Sequence, residues 1–299
     1  MLQSGIWSIV RMVMIVGICF AIIYPILVKI SVSLKSRSDI FDPTVVWIPR
    51  NITLDNIRVV IDHMSYWVSL LNSVVLSSTT TVLQVASCAL AGYAFARLKF
   101  KGSGILFTFV IFTIMIPPQT IMIPNYLNYR FFDFFGLIGW LTGSKGINLL
   151  DSYWPFILSS ALAMGLKNGL YIFIFRQFFR SLPKEIEEAA YVDGAGAFKT
   201  FYRVMLPNAV PAAITVLLFS FVWQWNDIFY VSQYLSSTKV LSLQLVIMPN
   251  SIRWITMDPL YSSILTNAGA LLVMLPLIIM YFFVQRYFVE GVERTGLVG

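Results

Sequence analysis

Long apolar runs separated by short polar stretches dominate the hydrophobic pattern. Six runs, at residues 12–34, 69–96, 105–126, 153–175, 210–230 and 263–284, are long enough to cross a bilayer. A crossing takes about 20 apolar residues. Without water, each backbone amide and carbonyl there must be bonded within the segment, which selects helices. The pattern predicts an all-α integral membrane protein with six transmembrane helices. Few charges interrupt the runs: Lys29 near the far end of the first, Lys167 in the fourth and Asp227 near the end of the fifth. Pro117 and Pro118 fall inside the third and predict a kink, because two successive backbone donors are missing. We read it as a structural kink in preference to a gating hinge.

Three longer polar loops alternate with the shorter ones. The first, 35–68, reads as extended chain followed by an amphipathic segment at 54–64. The second, 127–152, carries Gly136, Gly139, Gly143 and Gly146 and reads as a surface loop with one short aromatic helix. The third, 231–261, is mixed. None is long enough to fold alone, so residues 1–299 are expected to form a single membrane domain.

Composition supports this picture. Of 299 residues, 58% are hydrophobic and 12% charged, against about 25% charged in soluble domains; mean hydropathy is +0.78. The net charge of +7 is no nucleic-acid footprint, because the basic residues are dispersed between the runs. They report orientation instead. Eleven of the 21 Lys and Arg (Arg11, Arg97, Lys99, Lys101, Arg176, Arg180, Lys184, Lys199, Arg203, Arg286 and Arg294) fall on one side, in its shorter segments. The positive-inside rule places that side, with both termini, in the cytoplasm. Cys19 and Cys88 lie within apolar runs and act as small hydrophobes. His63, the only histidine, has no partner residues suggesting a metal site or catalytic triad.

One polar stretch, 181–208, has internal organisation. Pro183 suits a first helical turn, and Glu185, Glu187 and Glu188 follow where the helix dipole favours negative charge. Ile186, Ala189 and Ala190 share a face by i, i+3, i+4 spacing. Gly194 and Gly196 break the helix. A second helix is expected from about Ala197 to Pro207, with Phe198, Phe201, Tyr202 and Met205 as its apolar stripe and Lys199 and Arg203 on the other side. Periodicity alone allows a hairpin packed on its own bundle as readily as one docked on a partner. The Gly-rich run from Gly194 to Lys199 is not a phosphate loop, because Phe198 stands where that motif needs glycine.

The spacing Glu188-Ala189-Ala190, then Gly194, then Val204-Met205-Leu206-Pro207 resembles the EAA loop of ABC-importer permeases. Further segments recur in the same order as in carbohydrate-type permeases, close to the smaller membrane subunit of maltose systems. They include Trp47-Ile48-Pro49, the run from Ala91 to Gly102, Trp223-Gln224-Trp225-Asn226-Asp227 and Gln285 to Gly291. The C-terminal run 292–299 departs from that pattern, as does the long Phe- and Gly-rich second outer loop. The resemblance implies a permease subunit of an ATP-driven importer for a sugar or oligosaccharide, in a bacterial or archaeal cell membrane. It implies three partners: a dimer of ATP-binding subunits, a second permease subunit and an extracytoplasmic solute-binding protein. No cofactor is implied in this chain; ATP and Mg belong to the ATPase. Glu187, Glu188, Ala189, Ala190, Asp193, Gly194, Leu206 and Pro207 would form the coupling site, with Phe198, Phe201 and Tyr202 tying it to the spans.

Lys167, Asn168, Gln224 and Asn226 are candidates for the substrate path. A lysine within a span suggests a functional site, although snorkelling or an irregular turn also accounts for it. Asp227 is its candidate counter-charge. Trp223 and Trp225 suit either a sugar or an interfacial aromatic belt, and the belt is preferred. An ion-gradient-driven secondary transporter is the main alternative, but it calls for a mid-span carboxylate and none is present. A membrane scaffold without transport activity would not require the EAA spacing.

Overall fold

The computed structural model describes residues 2–143, 146–254 and 256–296. Lys145 and the last three residues of the C-terminal run lie outside this set. Among the described residues all regular structure is helical, apart from single bridges pairing Lys35 with Ile52 and Phe132 with Ile147.

Three helices are long and apolar enough to cross a membrane unaided: α1 (Leu2–Ser33), α4 (Tyr66–Arg97) and α16 (Pro259–Gly296). Between α1 and α4 lie α2 (Arg37–Phe41) and α3 (Asp55–His63), the latter within the amphipathic segment expected at 54–64. The other apolar runs are broken rather than continuous. In the third, α5 (Ser103–Met115) ends before Pro117 and Pro118, and the chain turns by 104° into a short 3-10 turn and α6 (Met122–Arg130). Beyond the end of α6, the second outer loop carries one short helix, α7 (Leu137–Thr142), which contains Trp140.

The fourth run splits into α8 (Trp154–Ala161) and α9 (Asn168–Ser181). Ala163 and Lys167 take left-handed backbone angles in the break, with φ of 57° and 59°. In the fifth, α13 (Val210–Trp225) stops five residues short of the expected end, and α14 (Phe229–Tyr234) follows. By length and composition three helices can cross, and counting the two bent pairs, Ser103–Met115 with Pro118–Arg130 and Ala197–Asn208 with Val210–Trp225, as one crossing each gives up to five, where the apolar runs suggested six.

The chain forms two compact units. The first comprises residues 2–69 and 244–279 and includes most of α15 (Leu241–Ser251). Within it Lys29 Nζ donates to Asn267 Oδ1 at 3.0 Å, so the charge at the end of α1 meets a polar side chain. The first loop is pinned by Asp39, which accepts from the backbone and side-chain N–H groups of Asn51 at 2.8 and 3.0 Å. His63 Nε2 and Ser251 Oγ share a hydrogen bond of 2.7 Å.

The second unit, residues 70–243 and 280–296, is organised around α9. Tyr171, Phe175 and Phe179 are fully buried there with Cys88 and Tyr93 of α4 and Val216 of α13. Gly92 lets α4 approach closely: a Cβ there would lie 2.6 Å from Phe175 Cβ. Small residues at such contacts bring membrane helices together without side-chain hindrance. A separate cluster joins Leu76, Phe156, Val231 and Tyr234. Beside it Asp151 clasps the third outer loop, accepting from the backbone N–H groups of Ser236 and Ser237 at 3.0 and 2.9 Å.

Candidate coupling site

The polar stretch at 181–208 folds as a helical hairpin. Its first helix, α10 (Lys184–Val192), starts after Pro183 with Glu185 and Glu187 in the first turn. Asp193 closes it, and Gly194 follows at φ +75°, a conformation that side chains with a Cβ rarely adopt. Gly196 precedes α11 (Ala197–Thr200). One π turn (Phe201–Met205) and α12 (Leu206–Asn208) continue the arm. Pro207 does not end it; it sits in the first turn of α12, where its missing N–H is tolerated.

Glu187 holds the hairpin to the bundle. Its Oε1 accepts hydrogen bonds from the Tyr93 hydroxyl at 2.8 Å and the Tyr191 hydroxyl at 3.0 Å. Its Oε2 lies 3.6 Å from Arg97 Nε, and both side chains are at least nine-tenths buried. Arg97 also donates from Nη2 to the Leu182 carbonyl. This carboxylate therefore points inward, with its hydrogen bonds and ion pair made inside the chain. Glu188 is exposed, as are Asp193 and Gly194.

The two alanines divide between faces. Ala190 is buried and Ala189 exposed, because successive helical residues turn by about 100° and the boundary passes between them. The second arm also corrects the expected stripe. Phe201 is buried, 5.1 Å from the Tyr93 ring and 6.3 Å from that of Phe179, and Met205 is fully buried. Phe198 and Tyr202 are instead 72% and 58% exposed. The π turn widens the local helix, so Thr200, Phe201, Met205 and Ala209 face inward while Phe198 and Tyr202 face out. With Val192, 87% exposed, they give the hairpin an outward apolar surface beside Glu188 and Ala189. Leu206 is half-buried and Pro207 exposed.

Tyr93, Arg97 and Tyr191 were not singled out as site residues from sequence. The available signal was the i, i+4 pairing of a tyrosine and an arginine at the polar end of an apolar run.

The four path candidates flank two helix ends. Lys167 and Asn168 stand at the start of α9, Gln224 and Asn226 at the end of α13. Lys167 Nζ lies over the Trp223 ring at 5.3 Å, a cation–π contact. Asp227 is not its counter-charge; that carboxylate accepts from the Tyr230 N–H at 3.2 Å, at the start of α14. Asn168 and Gln224 are buried, whereas Asn226 is exposed and donates to the Val222 carbonyl. Trp223 stacks on Tyr171 and Phe219, so its ring faces are engaged inside the bundle. The break before α9 is bonded: Gln84 Nε2 donates to the Leu166 carbonyl at 3.2 Å, and Ser87 Oγ to that of Ser160 at 2.7 Å.

Residues 89–294 match the family described as binding-protein-dependent transport system inner membrane component. The chain belongs to this family. The matched segment takes in α9, the hairpin and α13. The permease is 31% identical over 266 residues to the osmoprotective compounds uptake permease protein GgtD of a Synechocystis species, covering 87% of this chain and 82% of that protein. It is 28% identical to the arabinooligosaccharides transport system permease protein AraQ of Halalkalibacterium halodurans, over 94% of this chain and 93% of the relative. A chain from the crystal structure of a bacterial ABC transporter importing the acidic polysaccharide alginate superposes with a TM-score of 0.73 at 25% identity, covering 96% of this chain and 98% of that one. The permease is thus a multi-pass membrane component of an ABC importer, a transporter part and not a catalyst.

Proposed function

We propose that this permease imports a sugar or oligosaccharide, driven by ATP hydrolysis in a separate subunit that docks on the hairpin. The observation that carries this is the division of the hairpin into two faces. Glu187, Phe201 and Met205 fix it to the bundle, while Glu188, Ala189, Val192, Phe198 and Tyr202 face outward. An exposed apolar surface rimmed by charge suits a protein partner. Relatives that transport arabinooligosaccharides, trehalose and melibiose support the sugar class.

In this reading α10 is the coupling helix and Glu188 meets a basic residue of the ATPase. ATP and Mg are bound there and no cofactor is held by this chain. A second permease completes the pathway and an extracytoplasmic solute-binding protein delivers the substrate. The hairpin and both termini lie in the cytoplasm, and six crossings build one membrane domain with Lys167, Asn168, Gln224 and Asn226 near the path. Coupling requires contacts that differ between the two states of the ATPase dimer, since equal contact in both shifts nothing.

The test compares three variants in the assembled transporter. Phe198→Asp, by loss of an interface anchor, and Gly194→Val, by straining the turn that presents the outward face, should leave insertion intact but reduce ATPase co-purification and substrate uptake at least about tenfold. Phe201→Ala should instead destabilise the permease by about 3–5 kcal/mol, as for a buried phenylalanine. Normal uptake by both outward-face variants would refute the docking role.

A further inference from the structure

The turn from α4 into α5, together with the end of α9 and the start of α10, encloses an open cleft of about 900 Å³. Six basic side chains line it, Arg97, Lys99, Lys101, Arg176, Arg180 and Lys184, against the acidic pair Glu187 and Glu188. Two of the cations are engaged. Arg97 faces Glu187, and Arg176 donates to the Phe95 carbonyl at 3.2 Å while lying 3.8 Å from the centre of the Phe107 ring. The other four are exposed, and among the described residues none has a carboxylate within ion-pair distance. Four unmatched cations thus share one cleft with a single uncommitted carboxylate, Glu188.

The position of the cleft restricts what can fill it. Arg97 is the last residue of an apolar membrane-crossing helix, and α5 starts at Ser103 in the cleft wall. From there α5 exposes Ile105, Leu106, Phe109 and Phe112 along its length. A suitable occupant is anionic at the level where the helices leave the bilayer and apolar alongside α5. A soluble anion meets only the first requirement. Basic pockets between membrane helices at this depth recognise lipid headgroups.

We propose that the cleft binds an anionic phospholipid, its phosphate held between Lys99 and Lys101 on one wall and Arg180 and Lys184 on the other, with acyl chains lying along α5. Glu187 and Tyr191 of α10 form part of the same wall, so the bound lipid braces the hairpin. The cleft shares Glu188 with the outward face of the hairpin, so the test uses the chain without its ATPase, where of the two only the lipid can fill it.

Native mass spectrometry of the full-length chain in detergent tests this, with added phosphatidylglycerol, phosphatidylcholine or inorganic phosphate. One phosphatidylglycerol should be retained at concentrations at least about tenfold below those needed for phosphatidylcholine, from the ordinary attraction of several basic side chains. The triple variant Lys99→Gln, Lys101→Gln, Arg180→Gln should lose this preference with an unchanged melting temperature. A charge-matched variant, Arg11→Gln, Lys199→Gln, Arg203→Gln, should keep it. Equal retention of both lipids, or equal loss in both triple variants, would overturn the proposal. Displacement of the lipid by millimolar phosphate would assign the site to a free anion, and displacement by polyglutamate would assign it to an acidic protein surface. Either result also rejects it.

Discussion

Glu187 of the hairpin and Tyr93 of the second apolar run, 94 residues apart, share a buried hydrogen bond of 2.8 Å. The glutamate just before the EAA glutamate Glu188 is therefore an internal anchor, with Arg97 as its counter-charge.

Removing the carboxylate should be far more damaging than removing a single hydroxyl. Glu187→Ala leaves the Arg97 guanidinium buried without a counter-charge and is expected to cost about 3–5 kcal/mol. Tyr93→Phe deletes one hydrogen bond of the pair and should cost about 1 kcal/mol. Thermal unfolding of the solubilised chain measures both. The double variant Glu187→Ala, Arg97→Leu should lose less than the sum of the single changes, because no unpaired charge remains.

Gly92→Ala should destabilise the second unit although it adds one carbon. The new Cβ would lie 2.6 Å from Phe175 Cβ and 3.0 Å from the Arg176 backbone nitrogen, neither of which can rotate away. Such overpacking costs about 1–3 kcal/mol, or roughly 2–4 °C of melting temperature per kcal/mol in a chain this size. Gly17→Ala, where a Cβ meets nothing within 4 Å and alanine favours the helix, should not lower the melting temperature.

The loop clasp at Asp151 should be insensitive to pH across the neutral range. Hydrogen bonds from the Ser237 side chain and the Ser237 and Ser236 amides hold its carboxyl well below the usual carboxylate range. A folded-state pKa depressed in this way stabilises the fold fully above the ordinary value of about 4 and loses that contribution only as pH falls through the folded value. Amide protection at Ser236 and Ser237, corrected for intrinsic exchange, should be equal at pH 5 and pH 8 and reduced at both in Asp151→Asn. Protection that falls between pH 8 and pH 5 in the native chain would contradict this assignment.

Local pattern carried much of this structure. The amphipathic segment at 54–64 became α3, and Pro183 and Gly194 bracket α10 where their backbone preferences place them. The kink at Pro117 and Pro118 was legible for the same reason, though its 104° size was not. The break in the fourth run was legible only as the irregular turn weighed beside Lys167; the left-handed angles of Ala163 and Lys167 are not announced by their residue types, and tertiary bonds such as Gln84 to Leu166 support them. The π turn was equally hidden. It follows from how Phe201 and Met205 pack against Tyr93 and Phe179, contacts remote in sequence. The Glu187–Arg97 pair belongs to the same class, since periodicity reports faces and not the partners they meet.

The Arg97–Glu187 contact also constrains topology. Two charged side chains 3.6 Å apart hold the end of α4 and the start of α10 at one level of the second unit. The intervening stretch, α5 to α9 with its two broken runs, must then traverse the bilayer an even number of times. The Asp151 clasp on Ser236 and Ser237 imposes the same parity on the stretch from α8 to α14. Whatever depth each bent segment reaches, the basic turn after α4 lies with the hairpin, and the second long loop with the start of the third.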